Sequence, residues 1–220
     1  SIDQVINQAF LLHSQGNIKE AEKYYQYIIE KDYKDHRVFA NYGLILVNTN
    51  RFKEAEFYTR KAIALNPNLA MAHCNLGSIL INFGKSQEAE LHTRKAISLN
   101  PNLAMAYCNL GNILKNLGKL EEAELSTRKA ISLNPNLAIA YCNLGSVLID
   151  LGKLKDAKLS LLQAISLDPN YAMAYSNLGG VLIDLWKLEE AEFYTRKAIQ
   201  IKPKYAMAYC NLGNILKNLG

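Results

Sequence analysis

Metal ligation and nucleophilic catalysis need Cys, His, Asp or Glu grouped at short spacing or on one face. Four cysteines and four histidines are the first side chains to test for this. Cys74, Cys108, Cys142 and Cys210 are separated by 34, 34 and 68 residues, whereas zinc loops bring paired ligands within about five residues. Stacked one per repeat, neighbouring cysteines also lie too far apart for a disulfide, which needs Cα atoms within about 7 Å. Reduced thiols are expected. His13, His36, His73 and His92 fall at different positions of the repeat described below, so no two are expected to share a face. The recurring glutamates are matched by arginines four residues on, at Glu56–Arg60, Glu90–Arg94, Glu124–Arg128 and Glu192–Arg196. On a helix that spacing pairs the charges. The glycines mark turns and form no phosphate-cradling loop. The sequence therefore predicts no catalytic set, no metal site, no cofactor and no enzyme within these residues.

One polar residue does recur on a strict beat. Asn7, Asn41, Asn75, Asn109, Asn143, Asn177 and Asn211 follow one another at 34 residues. Asparagine is a middling helix former, so propensity does not explain the series. Its amide offers donors and an acceptor, and a ladder of such groups could pair with the main chain of an extended peptide.

The elements that position this ladder share its period. Gly43, Gly77, Gly111, Gly145, Gly179 and Gly213 keep the 34-residue beat, as do Ala21 through Ala191 and Pro67 through Pro203. The stretch AMAYCNLGNILKNLG fills 104–118 and recurs without change at 206–220. A period of this length marks stacked repeats. The repeats are 2–35, 36–69, 70–103, 104–137, 138–171 and 172–205, with a half repeat at 206–220. In 70–103, Ala72, Leu76, Ile79, Leu80 and Phe83 give helical periodicity, and Gly84 ends the helix as a left-handed turn residue. A second helix follows, with Glu88 and Glu90 early and Arg94 and Lys95 late, the order the helix dipole favours. Its stripe is Ala89, Ala96, Ile97 and Leu99. Asn100-Pro101-Asn102 ends it, because proline cannot continue a helix, and Asn102 is expected to cap the next. One such hairpin cannot bury its own apolar face, so neighbours must stack.

Composition agrees with a folded domain: half of the residues are hydrophobic and a fifth charged. Apolar stretches are short and interrupted, which predicts no membrane span, and no signal leader is visible. The net charge of +5 is concentrated only in the recurring TRKA segments, whose arginines have glutamate partners. A solvated outer face is expected there, not a nucleic-acid surface. A cytoplasmic protein is the resulting expectation.

The pattern resembles the tetratricopeptide repeat, with an aromatic at position 4, Leu at 7, Gly at 8, Ala at 20 and Pro at 32. Repeat 104–137 supplies Tyr107, Leu110, Gly111, Ala123 and Pro135. The resemblance covers essentially the whole chain. It implies an all-α fold, a right-handed α-α superhelix of helix-turn-helix units forming a single array over 1–220. Departures are local. Position 24, aromatic in the family, is Tyr25 in the first repeat but Thr59, Thr93, Thr127, Leu161 and Thr195 afterwards. The first repeat has Ala9 at position 8 and Tyr33 at position 32, in keeping with a terminal cap. Trp186 replaces the turn glycine, and a changed turn is expected because a bulky residue disfavours left-handed backbone.

The resemblance also implies that first helices line a concave groove that takes extended peptides. The groove stripe contains the asparagines from Asn41 to Asn211, then position 12 (Ile81, Lys115, Ile149, Ile183) and position 13 (Asn48, Asn82, Asn116, Asp150, Asp184). Its charges nearly cancel, which predicts a protein or peptide partner without strong net charge. The ladder is similar to that of the repeat arm of O-linked N-acetylglucosamine transferase, and a substrate-recruiting arm of a larger enzyme is the alternative reading. Capture of acidic chaperone tails is disfavoured, because positions 2 and 5 hold Met and Cys in place of a cationic clamp. The position-5 cysteines are expected to be small, half-exposed spacers. The final helix would leave Leu212, Ile215, Leu216 and Leu219 partly uncovered. Residue 220 thus reads as a cut in a longer protein, and the half repeat as a possible self-association surface.

Overall fold

The computed structural model describes residues 1–220 and contains thirteen helices and no strand. They fall into two compact units, Ser1–Pro101 and Asn102–Gly220. The first unit holds α1 (Ile2–Ser14), α2 (Ile18–Glu30), α3 (His36–Asn48), α4 (Phe52–Leu65), α5 (Ala70–Asn82) and α6 (Ser86–Leu99). The second holds α7 (Ala104–Asn116), α8 (Leu120–Leu133), α9 (Ala138–Asp150), α10 (Leu154–Leu167), α11 (Ala172–Asp184), α12 (Leu188–Ile201) and α13 (Ala206–Leu219). Odd-numbered helices are the first helices of each repeat and even-numbered ones the second. No helix is long and apolar enough to cross a membrane.

Within each unit a first helix packs on its own second helix, which packs on the following first helix. First helices of successive repeats also touch, as α7 does α9 and α9 does α11. Side chains at positions 7, 10 and 11 fill the space between. In the second unit the core includes Leu144, Leu148, Leu161, Leu178, Leu182 and Ile215. In the first it includes Ile6, Tyr25, Ile28, Ile45, Leu46 and Ile79.

Position 8 sets how closely the two helices of a hairpin approach. A Cβ built on Gly111 would lie 2.2 Å from Thr127 Oγ1 and 3.2 Å from the Ala123 carbonyl oxygen. Gly77 and Thr93 repeat this at 2.1 Å, and Gly179 and Thr195 at 2.3 Å. The small residue at position 24 is therefore the counterpart of the glycine, and a large aromatic there would hold the helices apart. Thr127 satisfies its buried hydroxyl locally by donating to the Ala123 carbonyl at 2.7 Å. The first repeat solves the same contact differently. Ala9 stands at position 8, and Tyr25, fully buried, packs its ring 6.1 Å from Phe10 and 6.4 Å from Tyr42.

The first helices from α1 to α11 end in Schellman turns. Gly118 N donates to Lys115 O and Lys119 N to Leu114 O, both at 2.9 Å, with Gly118 at φ +74°. Trp186 forms the same turn: its N donates to Ile183 O and Lys187 N to Leu182 O, both at 2.9 Å, at φ +55°. The expected change of turn does not occur. The two bonds hold the backbone left-handed, and the indole projects into solvent, 77% exposed. The cap at the other end also differs from expectation. The N-cap of α7 is Leu103, with no side-chain cap bond, and not Asn102. The residue before the proline acts instead at several exits: Asn136 N donates to Asn134 Oδ1 and Asn68 N to Asn66 Oδ1, both at 3.1 Å, and Asn170 N donates to Asp168 Oδ1 at 3.0 Å. Such turns satisfy the backbone where proline stops the helix.

Two stability outcomes follow. Gly111→Ala should destabilise by about 1–3 kcal/mol through overpacking, whereas Gly213→Ala, with nothing within 4 Å of the new Cβ, should be neutral or stabilising. Urea unfolding of both variants checks this. Trp186→Gly should stabilise by about 1 kcal/mol by relieving a left-handed non-glycine residue; a lower thermal midpoint would instead reveal a packing role for the indole.

Candidate functional site

The position-6 asparagines sit half-buried along the first helices, apart from the exposed Asn7. Asn143 Nδ2 donates to Cys108 Sγ at 3.3 Å and reaches the Cys108 carbonyl at 3.5 Å. Asn177 Nδ2 contacts Cys142 Sγ at 3.8 Å, and Asn211 Nδ2 donates to the Ser176 carbonyl at 2.9 Å. These three asparagines thus reach position 5 of the preceding repeat, 35 residues back. Position 5 is not the half-exposed spacer expected: Cys74, Cys108, Cys142 and Ser176 are all 0% exposed, and only Cys210, on the last helix, is open. A small side chain fits here because the first helices touch. Burial pushes the Cys142 thiol up to about 11, despite its bonds to Tyr171 and Asn177.

The ladder bond uses one amide proton. An asparagine amide has a second donor and an acceptor oxygen, and in the second unit these border a cavity. It has a volume of about 220 Å³ and is lined by Asn112, Lys115, Cys142, Asn143, Ser146, Met173 and Asn177, from α7, α9 and α11. Lys115 Nζ is 3.3 Å from Asp150 Oδ2, so its charge is balanced at the rim. The residues singled out in sequence that meet here are Lys115, Asp150, Asn143 and Asn177. Met173 is one of the position-2 methionines of the groove stripe; Asn112 and Ser146 were not singled out, and for them the signal was the polar residue at position 9, one turn beyond the ladder.

The other sequence-derived residues lie elsewhere. Asn41 bonds the Tyr25 side chain. Asn75, Ile81 and Asn109 are half-buried, and Asn48, Asn116 and Asp184 are exposed. Asn82 Nδ2 donates back to Ser78 O at 3.0 Å. Ile149 and Ile183 lean on the core of the second unit.

Two histidines expected apart come together. His73 on α5 and His92 on α6 stack, with Nδ1 atoms 3.0 Å apart, and His73 Nε2 lies 3.0 Å from the Pro67 carbonyl. A carbonyl only accepts, so His73 carries its proton on Nε2, and His92 Nδ1–H donates to the bare His73 Nδ1. Burial, then the neighbouring His73, hold His92 below its ordinary value. The outer face follows the sequence closely. The expected pairs form, Glu56–Arg60, Glu90–Arg94 and Glu124–Arg128 each at 2.8 Å and Glu192–Arg196 at 2.7 Å. Glu124 also takes Lys153 at 2.7 Å, and these two cations hold its carboxyl below the usual range.

Paired helices on a 34-residue period, with glycine at the close contact and proline at the exit, define a tandem α-hairpin repeat. Tetratricopeptide-repeat models match residues 104–137, residues 36–69 and 172–205, and residues 58–90 and 127–158, and a further TPR-repeat model matches 145–185. The chain belongs to the tetratricopeptide-repeat family. No curated protein is significantly similar in sequence. Among solved structures, the APC/C hetero-tetramer Cut9–Hcn1 matches with a TM-score of 0.88 at 17% identity, over 98% of this chain and 43% of that one. This chain thus spans less than half of that chain's length. TTC0263, a thermophilic TPR protein of Thermus thermophilus, matches with a TM-score of 0.74 at 22% identity, over 83% of this chain and 100% of that one. YrrB, described as a TPR protein with an unusual peptide-binding site, matches with a TM-score of 0.57 at 25% identity, over 84% of this chain and 96% of that one. The fold is the all-α superhelical repeat class, and the chain is in general terms a protein-interaction scaffold.

The thiols give a direct check on the ladder geometry. In native protein at pH 8, an aromatic disulfide reagent should modify Cys210 within minutes and the other three cysteines only on unfolding. Rapid labelling of four thiols would contradict the buried position-5 row.

Proposed function

We propose that the first-helix face of the second unit binds an extended peptide, with the cavity between α7, α9 and α11 as its anchor point. The carrying observation is the composition of that cavity: three asparagines, a serine and an adaptable methionine, around a lysine already balanced by Asp150. Such a lining offers donors and acceptors to a peptide main chain while adding little charge preference. The likeness to YrrB supports the same reading. The ladder then serves twice, joining repeats through one amide proton and meeting ligand through the rest. The exposed ladder-side residues Asn116 and Asp184 would extend contact along the face, as Asn48, Asn82, Asn75 and Ile81 would within the first unit.

Because the ladder also holds the stack, Asn112→Ala and Lys115→Ala test the site more cleanly than the ladder itself. Peptides selected from an unbiased display library should shift the side-chain amide NMR signals of Asn112, Asn143 and Asn177. Asn112→Ala should weaken binding about 2–10-fold, the equivalent of one neutral hydrogen bond. Shifts confined to second-helix residues would reject the cavity as the anchor.

A further inference from the structure

Within a hairpin, position 4 of the first helix faces position 23 of the second. In three repeats both positions carry a ring. Phe39 stacks on Tyr58 with centroids 6.0 Å apart, His73 stacks on His92 at 5.2 Å, and Tyr175 meets Tyr194 at 6.2 Å, all within the range of favourable ring pairs. In these repeats the position-4 ring is covered: Phe39, His73 and Tyr175 are only 5%, 6% and 7% exposed. In repeats 104–137 and 138–171, position 23 is Ser126 and Ser160, and the position-4 rings, Tyr107 and Tyr141, are left half-buried. Tyr141 and Ser160 both line a cleft of about 380 Å³ between α8, α9 and α10. Ile131, Leu144 and Leu159 add apolar wall, and Gln163 adds a polar side chain. Arg128, also on the wall, is already paired with Glu124 at 2.8 Å. An apolar cavity of about 150 Å³ takes benzene, so this cleft has room for a ring and for part of the chain that carries it.

We propose that this cleft is a binding site for the tyrosine side chain of a partner polypeptide, which supplies from outside the ring that Ser160 lacks. The rings that stand at position 23 against Phe39 and Tyr175 are Tyr58 and Tyr194, so a phenol is the group this hairpin geometry already accommodates. The incoming ring packs on Tyr141 between Ile131 and Leu144, and its hydroxyl meets the amide of Gln163 at the polar side of the cleft. A polypeptide fits better than a free aromatic molecule because of Leu159. That side chain lines the cleft and is 66% exposed. A lone ring leaves much of it in water, whereas residues flanking a tyrosine cover it. Tyrosines seated in pockets of this kind are common anchors of protein interfaces. The site faces the second helices and does not rest on peptide binding between α7, α9 and α11.

Three probes on the whole chain test the site by NMR: p-cresol, which is the bare ring, acetyl-Leu-Tyr-Leu amide, and acetyl-Leu-Ala-Leu amide. Ring protons of the first two should show nuclear Overhauser contacts to the methyl groups of Leu144 and Leu159. The tyrosine tripeptide should bind about fourfold tighter than p-cresol or more, the equivalent of at least one further buried methylene, and the alanine tripeptide should make no contact with Leu144. Ser160→Tyr supplies the ring from within, as Tyr194 does for Tyr175, and should abolish the contacts of both aromatic probes with an unchanged helical CD spectrum. The comparison of probes on the native chain is decisive even where that variant does not fold. Absence of ring contacts to Leu144 would overturn the proposal. So would contacts that survive in folded Ser160→Tyr, an alanine tripeptide that binds as well as the tyrosine one, or p-cresol binding as tightly as the tyrosine tripeptide, which would make the occupant a free aromatic molecule.

Discussion

In most hairpins of this protein, a first-helix glycine faces the position-24 side chain of the second helix with no room between them for a methyl group. The contact is Gly–Thr at Gly43, Gly77, Gly111 and Gly179, and Gly–Leu at Gly145, where Leu161 fills the space. Everything further out inherits this spacing. With the helices this close, alanines such as Ala106, Ala123 and Ala130 are large enough to seal the interface and are fully buried. The longer side chains at positions 7, 10 and 11 are then free to reach the next repeat. A larger residue at Gly111 presses on Thr127, whose hydroxyl is already committed to its own helix, so the strain has no soft outlet.

Neighbouring repeats are joined by two different kinds of link. On the first-helix side the recurring link is neutral, an amide reaching a buried sulfur, hydroxyl or carbonyl, with the Lys115–Asp150 pair beside it. On the second-helix side it is ionic, as in Glu124–Lys153 and Lys158–Glu190. The first-helix side carries few charges, with Lys115 balanced by Asp150, while most of the ion pairs lie on the second-helix side. Exposed pairs of that kind contribute little stability. Their depressed carboxyl values, as at Glu88 and Glu124, mean that the contribution is present above the ordinary carboxylate range and is lost as the pH falls through the lowered folded values.

The fold was legible because glycine, alanine and proline each answer to a single local demand: a close contact, a thin interface and a helix stop. Their period then revealed the stack. The departures were harder to read. Thr127 looked like a lost aromatic, since sequence alone does not show that its partner is the Gly111 backbone. The cysteines looked half-exposed, because a position between the buried and groove stripes turns inward only once adjacent first helices touch. His73 and His92 looked separate, being 19 residues apart on different helices, until the hairpin closed and brought positions 4 and 23 together. Of the candidate site, the asparagines, Lys115 and Asp150 were visible as a pattern. The inward bond of the amide was not, because the partner lies in another repeat.

That bond has a consequence for how such a chain changes over generations. In the second unit the asparagine of one repeat addresses the residue 35 places back, and that residue is small: Cys108, Cys142 or Ser176. Removing or inserting one 34-residue segment in register therefore joins two surfaces that already fit. The unchanged copies at 104–118 and 206–220 present the same register at two places in one gene. Recombination between such copies alters repeat number without requiring any new contact to be invented. Repeat copy number, and with it the length of the first-helix face, is thus open to inheritance as a variable of its own.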